Sequence, residues 1–363
     1  MHIRILDKYI FREVFMTFGF GICAFSAVFI GSGTLFRIAQ YITDYGASLS
    51  SVLKIFVLSL PGVVIWTFPM SMLLASLLTF GRFSSSSEIT AMKSCGIGFS
   101  RIATPAIVLG FLVSIFAIWF NEYIVPWSNT AYNNVVYYEI QKNTAPQSQE
   151  HIIIKDIEKG KIQRLVYARR YDAATETMQG VTMQVFTDGK VSHVENADYA
   201  EWKSSQWTMH QGIIYDISNG ESEHTMHFTT QELPINQSPQ QIVSEQKKPE
   251  ELTIHELKEQ IEIMRSQYVN TKKLETELYQ RYTVPMASLI FTLVGIPLGL
   301  QPNRNSSSMG FAISIIIIFI YYTLMTLAGA IAQSGAMAAA VAVWLPNLIG
   351  LAVGLFLMRR AAR

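Results

Sequence analysis

Six apolar runs without a single Asp, Glu, Lys, Arg or His divide this chain of 363 residues: Val14–Phe36, Ile55–Phe80, Ile102–Phe120, Thr283–Leu300, Met309–Ala332 and Gly335–Met358. Each is close to the ~20 residues that a helix needs to cross the hydrocarbon core of a bilayer. In lipid the backbone must satisfy its own hydrogen bonds, so runs of this length are helices. One such run could be a core helix of a soluble protein. Six of them specify an integral membrane protein with six transmembrane helices. The soluble mass, roughly Asn121–Tyr282, is inserted between the third helix and the fourth.

Orientation follows from the basic residues beside the spans, because Lys and Arg accumulate in cytoplasmic loops. Arg4, Lys8 and Arg12 precede the first span; Arg82, Lys93 and Arg101 separate the second from the third; Arg304 separates the fourth from the fifth; Arg359, Arg360 and Arg363 follow the sixth. The opposite loops offer Arg37 and Lys54. Both termini are therefore expected in the cytoplasm, with the insert on the outer side. The net charge of +1 says nothing of partners, since most acidic residues lie within 156–277. The first apolar run is too long for a signal-peptide core, and no small-residue cleavage site follows it. Met1–Glu13 reads as a short amphipathic helix on the cytoplasmic interface, with Ile3, Leu6, Ile10 and Phe11 opposed to Arg4, Asp7, Lys8 and Arg12. Cys23 falls in a span and Cys95 in a cytoplasmic loop, so no disulfide joins them.

Within the insert, His151 to about Ile235 reads as a β-domain. Apolar or alternating runs occur at Ile152–Ile154, Leu165–Tyr167, Met183–Phe186, Val191–Val194, Ile213–Ile217 and His227–Thr229. Asp188-Gly189 and Asn219-Gly220 are hairpin turns, where Gly accepts a positive φ. The length suggests about eight to ten short strands in a sandwich or jelly roll, with Trp202 and Trp207 on its apolar face. Gln237–Glu251 has a linker's composition. Thr253 with Glu256 forms a capping box that opens a helix striped by Ile254, Leu257, Ile261, Met264 and Tyr268, with a break near Asn270. The domain boundaries expected are 1–129 for the first membrane half, 130–252 for the external β-domain and linker, and 253–363 for the connecting helix and second membrane half.

No P-loop, zincin or nucleophile-elbow motif is present, and no ionisable group lies within a span, which disfavours transport by an intramembrane proton relay. His224 and His227 would point to opposite faces of a strand, so no metal site is read there. Nothing in the charge pattern suggests nucleic acid. The informative loop is Ser84–Gly96. Ser85 with Glu88 fits a capping box and Gly96 a C-terminal stop, predicting one helix over Ser85–Cys95 with Ile89, Met92 and Cys95 on one face. Such a helix lies on the membrane or docks into another protein. Glu88 either caps it or makes a contact.

Residues along the whole chain resemble the LptF/LptG (YjgP/YjgQ) family of permeases of the lipopolysaccharide export ABC transporter. They are Leu6-Asp7-Lys8-Tyr9-Ile10, Phe68-Pro69-Met70, Ser87-Glu88-Ile89-Thr90-Ala91-Met92-Lys93-Ser94-Cys95-Gly96, Val125-Pro126, Glu277 and Arg281 before Pro285, Gly295-Ile296-Pro297-Leu298, Leu345-Pro346-Asn347, and Arg359-Arg360. The resemblance implies a non-enzymatic subunit of the bacterial inner membrane whose external domain is a β-jelly roll. It implies a cytoplasmic ATPase dimer that uses ATP and Mg, coupled through Ser85, Glu88, Ile89, Met92, Lys93 and Gly96. Further partners implied are a second permease of the same type, a bitopic LptC-type protein, an LptA-type periplasmic bridge and lipopolysaccharide. Arg37, Phe68 and Tyr322 match lipid-binding positions, and this chain itself carries no cofactor or metal. Trp127–Glu139 contains no basic residue, so the family's further arginines there are absent. The rival readings are a lipoprotein-releasing or macrolide-type permease, with four spans and the insert after the first, and a membrane-anchored receptor or enzyme.

Overall fold

The computed structural model describes residues 5–141, 148–158, 161–173, 175–187, 190–203, 205–218, 221–235, 237–239, 242, 247–266, 269–300 and 307–362. Ile3, Arg4, the turns at 188–189 and 219–220, Tyr268, Arg304 and Arg363 lie outside them. The chain divides into two compact units, one of residues 1–140 and 249–363, the other of residues 141–248.

In the first unit, α1 (Ile5–Phe29) passes through a π-helical turn (Ile30–Thr34) into α2 (Leu35–Tyr45). The three pieces make one apolar helix of 41 residues, about 60 Å long and twice the hydrocarbon thickness. The expected separate interfacial helix before Val14 is therefore corrected: nothing between Glu13 and Val14 breaks a helix. Ile10 and Val14, both 0% exposed, pack into the unit's own core rather than onto a lipid surface. Gly46, at φ +63°, closes α2, and Ser48 accepts from the Ser51 N–H at 3.2 Å to start α3 (Leu49–Ser85). After α4 (Glu88–Ser94), α5 (Phe99–Asn134) continues through a π-helical segment, Val135–Ile140. The unit is completed by α6 (Ile254–Ser266), α7 (Lys272–Gly299), α8 (Ser307–Ser334) and α9 (Ala339–Ala362). Among the described residues six helices are long and apolar enough to cross a membrane, and they carry all six apolar runs.

The fourth of these is the most enclosed, with 78% of its apolar window buried, so α7 is the central post of the unit. Small residues allow the close approach. A Cβ on Gly295 of α7 would lie 2.8 Å from the Ser76 Cβ of α3, and one on Gly110 of α5 would lie 2.5 Å from the Thr292 Oγ1 of α7.

The chain re-enters this unit along a 3₁₀ turn, Pro249–Glu251. Asn129 Nδ2 donates to the Glu250 carbonyl at 2.9 Å, Asn133 Nδ2 donates to the Glu251 carboxylate, and Glu122 accepts from the Ile254 N–H at 2.8 Å. The Arg281 guanidinium, 8% exposed, donates to the Leu252 and Pro249 carbonyls and pairs with Glu277 at 3.3 Å. Pro285 has no N–H to give the Arg281 carbonyl, and Asn121 Nδ2 donates to it instead at 3.4 Å. The expected capping box then opens α6: Glu256 N–H donates to Thr253 Oγ1 at 3.2 Å and Thr253 N–H to Glu256 Oε2 at 2.8 Å. The break near Asn270 is present between α6 and α7.

The second unit holds β1 (Gln149–Glu158), β2 (Lys161–Asp172), β3 (Thr177–Thr187), β4 (Lys190–Lys203), β5 (Gln206–Ser218) and β6 (Glu221–Leu233). They form an antiparallel sheet in the order β1-β2-β3-β4-β5-β6, inserted between the third and fourth long helices. The inserted β-domain is as expected, but its strands number six among the described residues, each 10–14 residues long. They follow a meander rather than the crossed order of a jelly roll. Each of the six runs singled out in the sequence lies on a different strand. Polar residues extend the strands past those runs, and bulges at Asp156/Ile157, Val185/Phe186 and Asp216/Ile217 bend them without ending them.

Trp202 and Trp207 face each other across β4 and β5 with ring centroids 5.3 Å apart, and the buried Trp207 donates its indole N–H to the Gln237 carbonyl at 2.9 Å. Glu195 on β4 is also buried, and burial pushes its carboxyl above the usual carboxylate range although Gln231 Nε2 donates to it at 2.9 Å.

Candidate functional site

Helix α3 does not stop where the sequence places a helix start. It runs through Ser85, whose hydroxyl donates back to the Arg82 carbonyl at 3.0 Å. The reversal occurs at Ser86 and Ser87, the latter at φ +59°, and α4 begins only at Glu88, with no side-chain cap. The predicted helix over Ser85–Cys95 is thereby corrected to seven residues, and Ser85 with Glu88 forms no capping box. The turns that bury Phe80 and Phe83 carry the helix past Ser85, so this hydroxyl never meets a helix N-terminus. The other end is as expected. Gly96, at φ +79°, donates to the Lys93 carbonyl and Ile97 N–H donates to the Met92 carbonyl, the paired bonds of a Schellman stop.

The burial of α4 sets what it can offer to a partner. Ile89 is 6% exposed and sits in a core cluster with Ile10, Val14, Phe83 and Phe99, with Met92 packed against that cluster. Of the apolar face expected for this helix, Ile89 and Met92 therefore fix α4 to its own unit instead of offering themselves to a partner, and Cys95 is exposed. The exposed face consists of Thr90, Ala91, Lys93, Ser94 and Cys95, with the half-buried Glu88 at the head of the helix. Lys93 rests its ammonium 5.7 Å from the centre of the Phe99 ring.

The first turns of α1 meet this loop through three polar contacts that the sequence did not single out. Arg101 pairs with Asp7 at 2.6 Å, Arg82 pairs with Glu13 at 2.7 Å, and Tyr9 donates its hydroxyl to Glu88 Oε2 at 3.0 Å. The Tyr9 ring lies 5.5 Å from that of Phe83. The other oxygen of Glu88 accepts from Ser86 at 2.9 Å. The signal available in sequence was two acids, Asp7 and Glu13, within a terminal segment otherwise basic, matched by two basic residues in the loop and its flanks.

Arg37, Phe68 and Tyr322 are not brought together. Arg37 is exposed on α2, near the hydroxyl of Tyr132 on α5. Lys54, at the same end of the unit, is tied to Glu139 at 2.7 Å. Phe68 is 4% exposed, enclosed by the rings of Phe18, Phe116 and Phe120 at about 6 Å. Tyr322, half-buried on α8, donates to the Trp66 carbonyl of α3 at 3.0 Å and packs beside Phe25, Met70 and Leu74. Of the three residues, Arg37 is the one exposed to a ligand in this conformation, and Tyr322 borders the junction of α1, α3 and α8.

Compared with known families, residues 8–360 match the model of the lipopolysaccharide export system permease LptF/LptG. No curated protein matches the chain.

Proposed function

Because the chain belongs to the lipopolysaccharide export system permease LptF/LptG family, we propose that it extracts lipopolysaccharide from the outer leaflet of the bacterial inner membrane and hands it to its inserted β-domain. Membership makes it part of a transport system. The rival four-span permeases carry their insert after the first span, whereas here the sheet follows the third of six.

The observation that carries the coupling half of this proposal is Glu88: a carboxylate on a short helix between the second and third spans, oriented by two neutral hydroxyls and still partly open. In this reading α4 faces the cytoplasm and seats in a dimeric ABC ATPase that hydrolyses ATP with Mg. The contact surface is polar, formed by Glu88, Thr90, Lys93 and Ser94, with Ile89, Met92 and Gly96 holding the helix in place. Lifting acyl chains out of hydrocarbon opposes ~0.8 kcal/mol per CH₂, which calls for an apolar cavity between two permeases and for the partner's ATP.

At the outer end Arg37 would meet an anionic headgroup. A guanidinium has five N–H donors to offer to phosphate. A second permease would supply the remaining charge and complete the cavity beside Tyr322, while the buried Phe68 would reach lipid only after α1 and α5 part. The β-domain would pass its cargo to an LptC-type protein and an LptA-type bridge.

The test is export and ATPase retention in Glu88 variants. Glu88→Gln should leave membrane level unchanged while export falls, and Glu88→Lys should be worse because it adds repulsion. Normal export and normal ATPase retention in both would refute docking at this helix.

A further inference from the structure

We infer that Tyr9 is a positioning residue for the Glu88 carboxylate, and that through it the first span moves with α4 when a partner loads that helix. The inference rests on the reading of α4 as the ATPase-docking helix.

Three observations carry it. The acids at this end of the unit are treated differently: Asp7 and Glu13 are matched by Arg101 and Arg82 at 2.6 and 2.7 Å, whereas Glu88 is held by the hydroxyls of Tyr9 and Ser86. Among the described residues no cation forms an ion pair with Glu88; the Arg82 guanidinium, which acts on it electrostatically, is committed to Glu13. Neutral donors fix its direction without cancelling its charge, leaving lone pairs of an oriented anion for a cation from outside.

Tyr9 is exposed on one side and held on the other. Its ring lies 5.5 Å from that of Phe83, which is fully buried, and the ion pairs of Asp7 and Glu13 flank it along α1. Orienting the carboxylate before binding removes part of the ordering cost that docking would otherwise meet.

The third observation is continuity. The helix that carries Tyr9 is unbroken from Ile5 to Phe29 and joins through the π-helical turn to the segment bearing Arg37. A displacement of α4 is therefore passed to the first span by the Tyr9–Glu88 bond and the packing of Ile89 beside Ile10 and Val14.

The experiment is a double-mutant cycle on the full chain purified with its co-expressed ATPase, reading the ATPase retained and the ATP turnover per permease. Tyr9→Phe keeps the ring against Phe83 and deletes the hydroxyl, so membrane level should be unchanged while retention weakens roughly threefold to tenfold. Glu88→Gln should weaken it further, and adding Tyr9→Phe to Glu88→Gln should change nothing more, since a residue acting through Glu88 has nothing left to position. Equal losses from Tyr9→Phe in both backgrounds would assign Tyr9 an independent structural role and overturn the inference. Wild-type retention in Tyr9→Phe beside a weakened Glu88→Gln would overturn it while leaving docking at α4 intact. A Glu88→Gln protein with both wild-type ATPase retention and wild-type ATP turnover would remove the docking reading, and the inference with it.

Discussion

Ser85–Glu88 and Thr253–Glu256 are both a hydroxyl residue followed three positions later by Glu, and they fold in different ways. At Thr253 the chain arrives along a 3₁₀ turn held by Asn129, Asn133 and Arg281, so a true helix start stands there, and the Glu256 carboxylate is consumed by a backbone N–H at 2.8 Å. At Ser85 a helix of 37 residues is already in progress, and the hydroxyl turns back to the Arg82 carbonyl. Glu88 opens the next helix without that cap, its oxygens taken by side chains that a partner can displace or join. The difference teaches where a carboxylate is available. Glu256 is committed to structure and Glu88 is not.

Substitutions should separate the two regions by kind as well as size. The largest stability effect belongs to the 3₁₀ turn that Arg281 holds. Arg281→Met leaves the Leu252 and Pro249 carbonyls without their donor and Glu277 without its cation, for an expected loss of about 3 kcal/mol in thermal unfolding of the detergent-solubilised protein. The two hydroxyl residues come next. Thr253→Ala should lose about 1 kcal/mol with its cap, while Ser85→Ala should stay within about 0.5 kcal/mol. Equal losses would abolish the distinction. Gln keeps a capping box, so Glu256→Gln should leave both stability and export near normal, and Glu88→Gln should lower export at unchanged stability.

The smallest effect concerns Glu195 in the β-domain, a third carboxylate in a third setting. Its folded pKa is raised by burial, so the proton it binds adds stability that is fully present below the unfolded value of about 4.3 and is lost as pH rises through the folded value. Gln231 donates to its carboxylate and His193 lies 3.5 Å from it. Glu195→Gln should slow amide exchange of β4 and β5 at pH 7, with the difference from the parent chain shrinking toward pH 4. A variant that exchanges faster than the parent at pH 7 would mean that the charge is not penalised there.

Much of this architecture was legible because it depends on local pattern. Six uncharged runs of bilayer length admit one reading, and the six apolar strand centres lie on six strands. The Thr253 box also formed where it was read. What escaped the sequence depends on continuation and on distance along the chain. After Phe120 the stretch Asn121–Asn134 stays helical, even through Pro126, because α5 is already formed. Strand β6, ESEHTMHFTTQEL, has no strong alternation and takes its length from pairing with β5. Tyr9 and Glu88 are 79 positions apart, and periodicity carries no information about such a pair. The inward turn of Ile89 and Met92 was equally hidden, since an amphipathic face shows that something covers it without showing what.

The central claim is that the exposed face of α4 is an ATPase-docking surface. The most direct measurement places a photo-crosslinking residue at Thr90, next to Glu88 and exposed, in membranes of a cell that carries the complete export system. The account predicts one dominant adduct from Thr90, with the cytoplasmic ABC ATPase, weakened when Glu88→Gln is added. Adducts with lipid alone, or an ATPase adduct undiminished by Glu88→Gln, would contradict it.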